Sequence, residues 1–251
     1  KVPGGIVLCP LPFALYLVPC TLNLLPCTLY LVPCALYLIP CALSLSLLHA
    51  RINLVLERQK GKRDRLRVIS GRLKGKKLFA LKDLSLRPTS DRVKEAIFDL
   101  LQKFPPGERV LDLFAGTGGL GIEALSRGAL KAVFVEESPR SAEVLRRNIE
   151  ACQVRDQAEV LIREVEAGLK VLEERRGSFD LIFLDPPYGK GLACRTLQAL
   201  ARSSLLSPDA LIVAEHSPNE DLASIPSLER IDWRKYGGTE ISFFRRKEKE
   251  L

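Results

Sequence analysis

The sequence predicts an α/β protein, a doubly wound sheet with an antiparallel hairpin at one edge. Three observations carry that prediction. From residue 110 onward, short runs rich in Val, Ile, Leu and Phe alternate with stretches of helical length, the pattern of parallel strands joined by crossover helices. The first run, Val110-Leu111-Asp112-Leu113, leads into Gly116-Thr117-Gly118-Gly119-Leu120-Gly121, a glycine loop between a strand and a helix. Near the end, runs at 228–234 and 239–246 meet at Gly237-Gly238 and read as a hairpin.

Taken in chain order, Ser90 or Asp91 can cap a helix reaching about Lys103, which Pro105-Pro106 must end. Strand 110–113, the glycine loop and a helix to Arg127 follow. Residues 132–136 form a second strand, and a helix from about Pro139 to Cys152 carries the chain back. A third strand at 158–162 precedes a helix near 166–174. The run Phe179-Asp180-Leu181-Ile182-Phe183-Leu184 is nearly all apolar, so it belongs in the buried middle of a parallel sheet. A helix at 191–203, a fifth strand at 210–214 and the two hairpin strands complete seven strands.

The first fifty residues stand apart from this pattern. After Lys1 no Asp, Glu, Lys or Arg occurs until Arg51, so the remainder carries +7 of the formal +8. The leader repeats every seven residues, with Pro-Cys at 19–20, 26–27, 33–34 and 40–41. Its apolarity raises a membrane span, but each interior proline costs a helix about 3 kcal/mol. With only Lys1 as a charged start and no clear cleavage site, it also makes a poor signal peptide. The chain contains no methionine. The expectation is that residues 1–50 are a non-native or disordered leader, read through from tandem repeats upstream of the gene, with Leu66 a candidate start from a UUG codon.

Residues 51–86 read as a basic N-terminal arm. Between 51 and 77, eleven Lys and Arg face only Glu57 and Asp64, and the alternation in Arg67-Val68-Ile69-Ser70 suggests a β-hairpin. A basic segment of this kind suits a polyanionic partner. Residues 87–251 form the α/β domain. Five of the seven cysteines lie in the leader; Cys152 and Cys194 sit in no CxxC or Cys/His cluster. That argues against a zinc site and for small apolar helix residues in a reduced, cytoplasmic setting; no metal is expected, and the prolines of the leader are the reason no membrane association is expected.

Asp185-Pro186-Pro187-Tyr188 follows the fourth strand, about seventy residues after the glycine loop. In open α/β sheets ligands bind at the carboxyl ends of strands. The tetrapeptide offers a carboxylate, a rigid backbone carbonyl and an aromatic face, a set suited to gripping a planar base by its exocyclic amine. The GxGxxG loop alone is shared with dinucleotide-binding enzymes. Asp112 tips the choice, since a carboxylate there would repel a pyrophosphate but attract the ammonium of a methionine moiety. Its bland reading is a turn-capping carboxylate. Glu136, twenty residues past Gly116, can accept hydrogen bonds from ribose hydroxyls. Together they favour S-adenosylmethionine over NAD.

Arg67-Val68-Ile69-Ser70-Gly71, Arg87-Pro88-Thr89-Ser90-Asp91-Arg92-Val93-Lys94-Glu95-Ala96-Ile97-Phe98, Val110-Leu111-Asp112-Leu113-Phe114-Ala115-Gly116-Thr117-Gly118 and Asp185-Pro186-Pro187-Tyr188 occur in that order. In these segments the chain resembles the bacterial 16S ribosomal RNA guanine-N2 methyltransferases (RsmD-like) from about residue 66 to the C-terminus. The resemblance implies a Rossmann-like class I methyltransferase fold for 87–251. It places the cofactor loop on Asp112, Phe114, Ala115, Gly116, Thr117 and Gly118, and the ribose acid on Glu136. The acid beside the adenine falls on Glu164, where an aspartate is more usual, and Ser138 stands where an Asp commonly follows the ribose acid. The catalytic residues implied are Asp185, Pro186, Pro187 and Tyr188. Two N–H groups of guanine N2 would donate to Asp185 and the Pro186 carbonyl, turning the lone pair toward the sulfonium methyl, while Tyr188 stacks on the extruded base.

With an RNA substrate, Arg67, Arg72, Lys74 and Lys76 of the arm become phosphate contacts, joined by Arg87 and Arg92 at the helix start. The expected partner is 16S ribosomal RNA, free or within an assembling small subunit, and nothing in the sequence demands more than a monomer. Glu215-His216 ends the fifth strand near the site; a lone His there is more often structural. An adenine-N6 or cytosine-N4 methyltransferase remains the alternative within the class. A nicotinamide-dependent oxidoreductase is disfavoured by Asp112 and the tetrapeptide, and a non-catalytic RNA-binding or membrane-tethered protein leaves the glycine loop unexplained.

Overall fold

The glycine loop and the Asp-Pro-Pro-Tyr segment leave neighbouring strands of a single sheet. The structure, a computed structural model, describes residues 66–81, 91–102 and 108–247. The leader 1–50, residues 51–65, Arg87 and the Thr89-Ser90 pair lie outside the described residues, as does the side chain of Arg92. The chain divides into units Lys1–Glu57 and Arg58–Leu251, and every described residue falls in the second.

Helix α1 (Asp91–Leu101) precedes β1 (Arg109–Leu113), α2 (Gly119–Ser126), β2 (Lys131–Glu136) and α3 (Pro139–Cys152). Then come β3 (Ala158–Ile162), α4 (Val165–Glu174), β4 (Phe179–Leu184), α5 (Leu192–Arg202), β5 (Leu206–His216), β6 (Leu228–Tyr236) and β7 (Thr239–Arg246). The seven strands form one sheet in the order β3-β2-β1-β4-β5-β7-β6. The first five are parallel, whereas β7 runs antiparallel to both β5 and β6. This is the Rossmann-like α/β sheet with a hairpin edge that the sequence predicts.

Alternation along the strands sorts the core into two layers. Val110, Phe134, Leu181 and Phe183 pack with α1, α2 and α3 on one face. Leu111, Leu113, Ile182 and Leu184 pack with α4 and α5 on the other. β5 starts four residues earlier than the sequence indicates. Its register against β4 slips between the Phe179↔Leu206 and Leu181↔Leu211 pairs, so Ser207-Pro208-Asp209 is accommodated as an irregularity. Pro208, which has no N–H to give a ladder, makes that stretch look like a turn.

The arm differs more. Among the described residues its hairpin is reduced to an isolated Arg67↔Lys77 bridge. Backbone bonds from Val68 N–H to the Lys76 carbonyl (2.9 Å) and from Leu78 N–H to the Leu66 carbonyl (2.8 Å) close it. Leu66, Val68 and Leu78 are buried in the α1–α3 layer of the core, so this segment is docked on the domain. Gly71, at φ +78°, lies so near α2 that a Cβ would stand 2.0 Å from the Ser126 carbonyl oxygen. Among the described residues, no helix is long and apolar enough to cross a membrane.

Candidate active site

Sheet register brings the two key segments together. Leu113 of β1 pairs with Leu184 of β4 on one side and Val135 of β2 on the other. Phe114, Asp185 and Glu136 are the next residues along these three parallel strands, so the glycine loop, the tetrapeptide and the second acid emerge side by side at the carboxyl edge. β2 also pairs with β3, Glu136 opposite Ile162, which sets Glu164 one strand further out.

The glycine loop is held from two directions. Gly121 is pressed against β2: a Cβ there would meet the Phe134 ring at 2.3 Å, so only glycine lets α2 start this close to the sheet. Its N–H donates to Asp112 Oδ2 at 2.8 Å. Phe114 takes a positive φ of 59°, a strained conformation for a non-glycine residue, where the chain leaves β1. Ala115 N–H donates to the Val135 carbonyl at 3.0 Å. At Gly116 a Cβ would find no atom nearer than 3.9 Å, so its backbone lies open to an approaching ligand.

Glu136 joins the loop to the following turn. Its Oε2 accepts from Gly116 N–H at 2.7 Å and its Oε1 from Ser138 N–H at 2.8 Å. Each carboxylate oxygen retains a second lone pair for a hydroxyl donor. Ser138 itself caps α3, its Oγ accepting from Ser141 N–H at 3.3 Å. Asp112 is buried, and desolvation pushes its carboxyl well above the ordinary carboxylate range. The Gly121 N–H opposes that rise, while the Asp185 and Glu136 carboxylates add to it. Asp112 thus does the turn-capping work of its bland reading and also belongs to a trio of neighbouring acids.

In the tetrapeptide, Pro186 is buried, Asp185 and Pro187 are half-buried, and Tyr188 is 43 % exposed. The Tyr188 hydroxyl is tethered, donating to Glu215 Oε1 at 3.1 Å and bonding Thr239 Oγ1 at 2.8 Å. Burial is the main reason its phenol is raised well above the usual tyrosine value. Glu215 and Thr239 therefore orient the ring from β5 and β7. The sequence shows no signal for Thr239, which stands beside the hairpin glycines. His216 is buried in the sheet: its Nδ1 donates to the Ser217 carbonyl at 3.0 Å, and its Nε2 shares a hydrogen bond with Ser242 Oγ at 2.9 Å.

Glu164 sits at the N-terminus of α4, exposed and making no side-chain cap. Arg67, Arg72, Lys74 and Lys76 are exposed on the docked arm, where Arg72 bonds Gln157 Oε1. The side chains that hold this arm are not among those the sequence singles out. Glu123, fully buried in α2, accepts from Ile69 N–H (2.7 Å), Ser70 N–H (2.9 Å) and Arg127 Nε (2.9 Å). Fully buried Lys94 donates from Nζ to the Arg67 carbonyl at 2.8 Å. A lone acid within the apolar stretch Gly119-Leu120-Gly121-Ile122-Glu123-Ala124-Leu125 was the available clue. Cys152 is buried, which raises its thiol against the opposing Lys76 ammonium, and no group of three His, Cys, Asp or Glu among the described residues could hold a metal.

The model of the family Conserved hypothetical protein 95 matches residues 66–245. The chain belongs to this family. Among its relatives, ribosomal RNA small subunit methyltransferase D of Haemophilus influenzae is 36 % identical over 157 residues, which cover 62 % of this chain and 81 % of that protein. Its Escherichia coli namesake is 31 % identical over 174 residues, covering 69 % and 85 %. The family fold is likewise shared with the solved structure of the yhhF protein of Escherichia coli, at 30 % identity and a TM-score of 0.64, covering 73 % of this chain and 98 % of that one. The family match begins at Leu66 and so leaves out the Pro-Cys heptads.

Proposed function

We propose that this chain transfers the methyl group of S-adenosylmethionine to the exocyclic N2 amine of a guanine in 16S ribosomal RNA. The relatives named ribosomal RNA small subunit methyltransferase D make it an rRNA methyltransferase. Guanine N2 is our own choice of amine, made on the acid Asp185 at the head of Asp185-Pro186-Pro187-Tyr188, and one observation supports an amine acceptor at that place. The tetrapeptide lies beside the glycine loop on adjacent parallel strands, with Asp185 close enough to Asp112 to raise its carboxyl.

The residues present fit S-adenosylmethionine. Glu136 and Asp185, beside the buried Asp112, suit a ligand carrying positive charge and would repel a pyrophosphate. Glu136, oriented by two backbone N–H groups, keeps acceptor capacity for ribose hydroxyls, and Gly116 leaves its backbone approachable. When bound, the cofactor supplies an electrophilic methyl on sulfur.

The chain's own part is to orient the amine. Guanine N2 is a poor nucleophile because its lone pair is delocalised into the ring. Donation of its two N–H groups to the Asp185 carboxylate and the Pro186 carbonyl would localise that lone pair, and the tethered Tyr188 ring would support the extruded base. Buried Pro186 makes that acceptor rigid. The test is transfer of labelled methyl to naked 16S rRNA and to assembled small subunits, followed by mass identification of the nucleoside. N2-methylguanosine is the expected product; N6-methyladenosine or N4-methylcytidine would replace this reading with its alternative.

A further inference from the structure

Phe79 is a large apolar side chain left on the surface, 47 % exposed, on a segment otherwise fastened to the domain. The guanidinium of Arg147, exposed on α3, lies over its ring at 4.7 Å from the centroid. Exposed Lys76 and Lys77 precede it on the same segment. An aromatic face amid exposed cations is an arrangement that suits unpaired nucleotides: the ring takes a base, the cations take phosphates.

The backbone beneath the ring is not loose. Fully buried Asn148 accepts from Phe79 N–H at 2.7 Å and donates to the Phe79 carbonyl at 3.0 Å. The same amide donates to the Thr117 carbonyl in the glycine loop at 2.9 Å. One side chain therefore registers Phe79 against the cofactor loop. We propose that Phe79 and Arg147 form an RNA-docking surface for an unpaired stretch flanking the target nucleotide, held at a set distance from the methyl-transfer site by Asn148. This rests on the function proposed above and extends it to the substrate's flanking region.

The ring can be removed without touching the Asn148 bonds, which use only the Phe79 backbone. Phe79→Ala should raise the KM for RNA roughly tenfold, with the loss falling on KM and not kcat. Cofactor affinity by calorimetry should stay at the wild-type value. Phe79→Trp should restore RNA affinity, whereas Phe79→Leu, apolar but without a π face, should not. Arg147→Gln should flatten the dependence of log affinity on log salt by about one phosphate contact, and it decides the matter should Phe79→Ala fold poorly. The proposal is overturned by wild-type RNA affinity in Phe79→Ala, by Leu serving as well as Trp, or by an unchanged salt slope in Arg147→Gln. A defect seen on assembled subunits but not on naked RNA also overturns it, because the ring would then meet a ribosomal protein. Filter binding without turnover keeps the two readings apart. A wild-type protein that binds RNA but methylates none defeats the function, while unaltered binding by the variants defeats only this surface.

Discussion

Asp185 and Asp112 are neighbouring carboxylates with different surroundings, and we propose different work for each. Asp185 is half-buried at the mouth of the tetrapeptide. We expect Asp185→Ala to lower methyl transfer about 10²–10³-fold while cofactor binding, measured by calorimetry, survives. Asp112 is sealed in with one oxygen on Gly121 N–H. Its carboxyl is raised by burial, so the folded chain holds that proton more tightly than the unfolded chain. The associated stability is present below the ordinary value of 3.8 and lost as pH rises through the raised value. Asp112→Asn keeps an acceptor for Gly121 and removes this titration. Denaturant midpoints without ligand should therefore fall less steeply with rising pH in the variant; parallel curves would contradict the burial argument.

At the scale of elements, the arm and α2 form one unit. Glu123 satisfies two backbone N–H groups lying 54 and 53 residues away, and Ser126 adds bonds to Ser70, Arg72 and Leu73. Glu123→Ala would strand those donors and the Arg127 guanidinium, costing about 3 kcal/mol of stability by thermal or chemical unfolding. A loss below about 0.5 kcal/mol would mean that the arm holds without its clasp. Strand periods, glycine signals and helix lengths were readable here because they are local. β4, α3 and the β6–β7 hairpin lie where their apolar runs place them. The early start of β5 was not readable, since Pro208 imitates a turn and only pairing with β4 overrides it. The arm's docking was hidden too: its charges suggest a solvated hairpin, whereas buried Leu66, Val68 and Leu78 anchor it.

For the whole molecule, we propose that the catalytic unit begins near Leu66 and that residues 1–50 are dispensable. Removing them should leave kcat/KM for RNA unchanged, and a severalfold loss would give the heptads a role. The α/β class, the strand order of events along the chain and the cofactor and tetrapeptide motifs were legible in the linear code, because hydrophobic period and glycine placement act over a few residues. The clasping of Ile69 and Ser70 by Glu123, the tether of Tyr188 by Glu215 and Thr239, and the bridge from Phe79 to Thr117 through Asn148 came only from the folded chain. Each joins a side chain to a group tens of residues distant. Such a bond depends on register and burial in three dimensions, which no local pattern of residue types records.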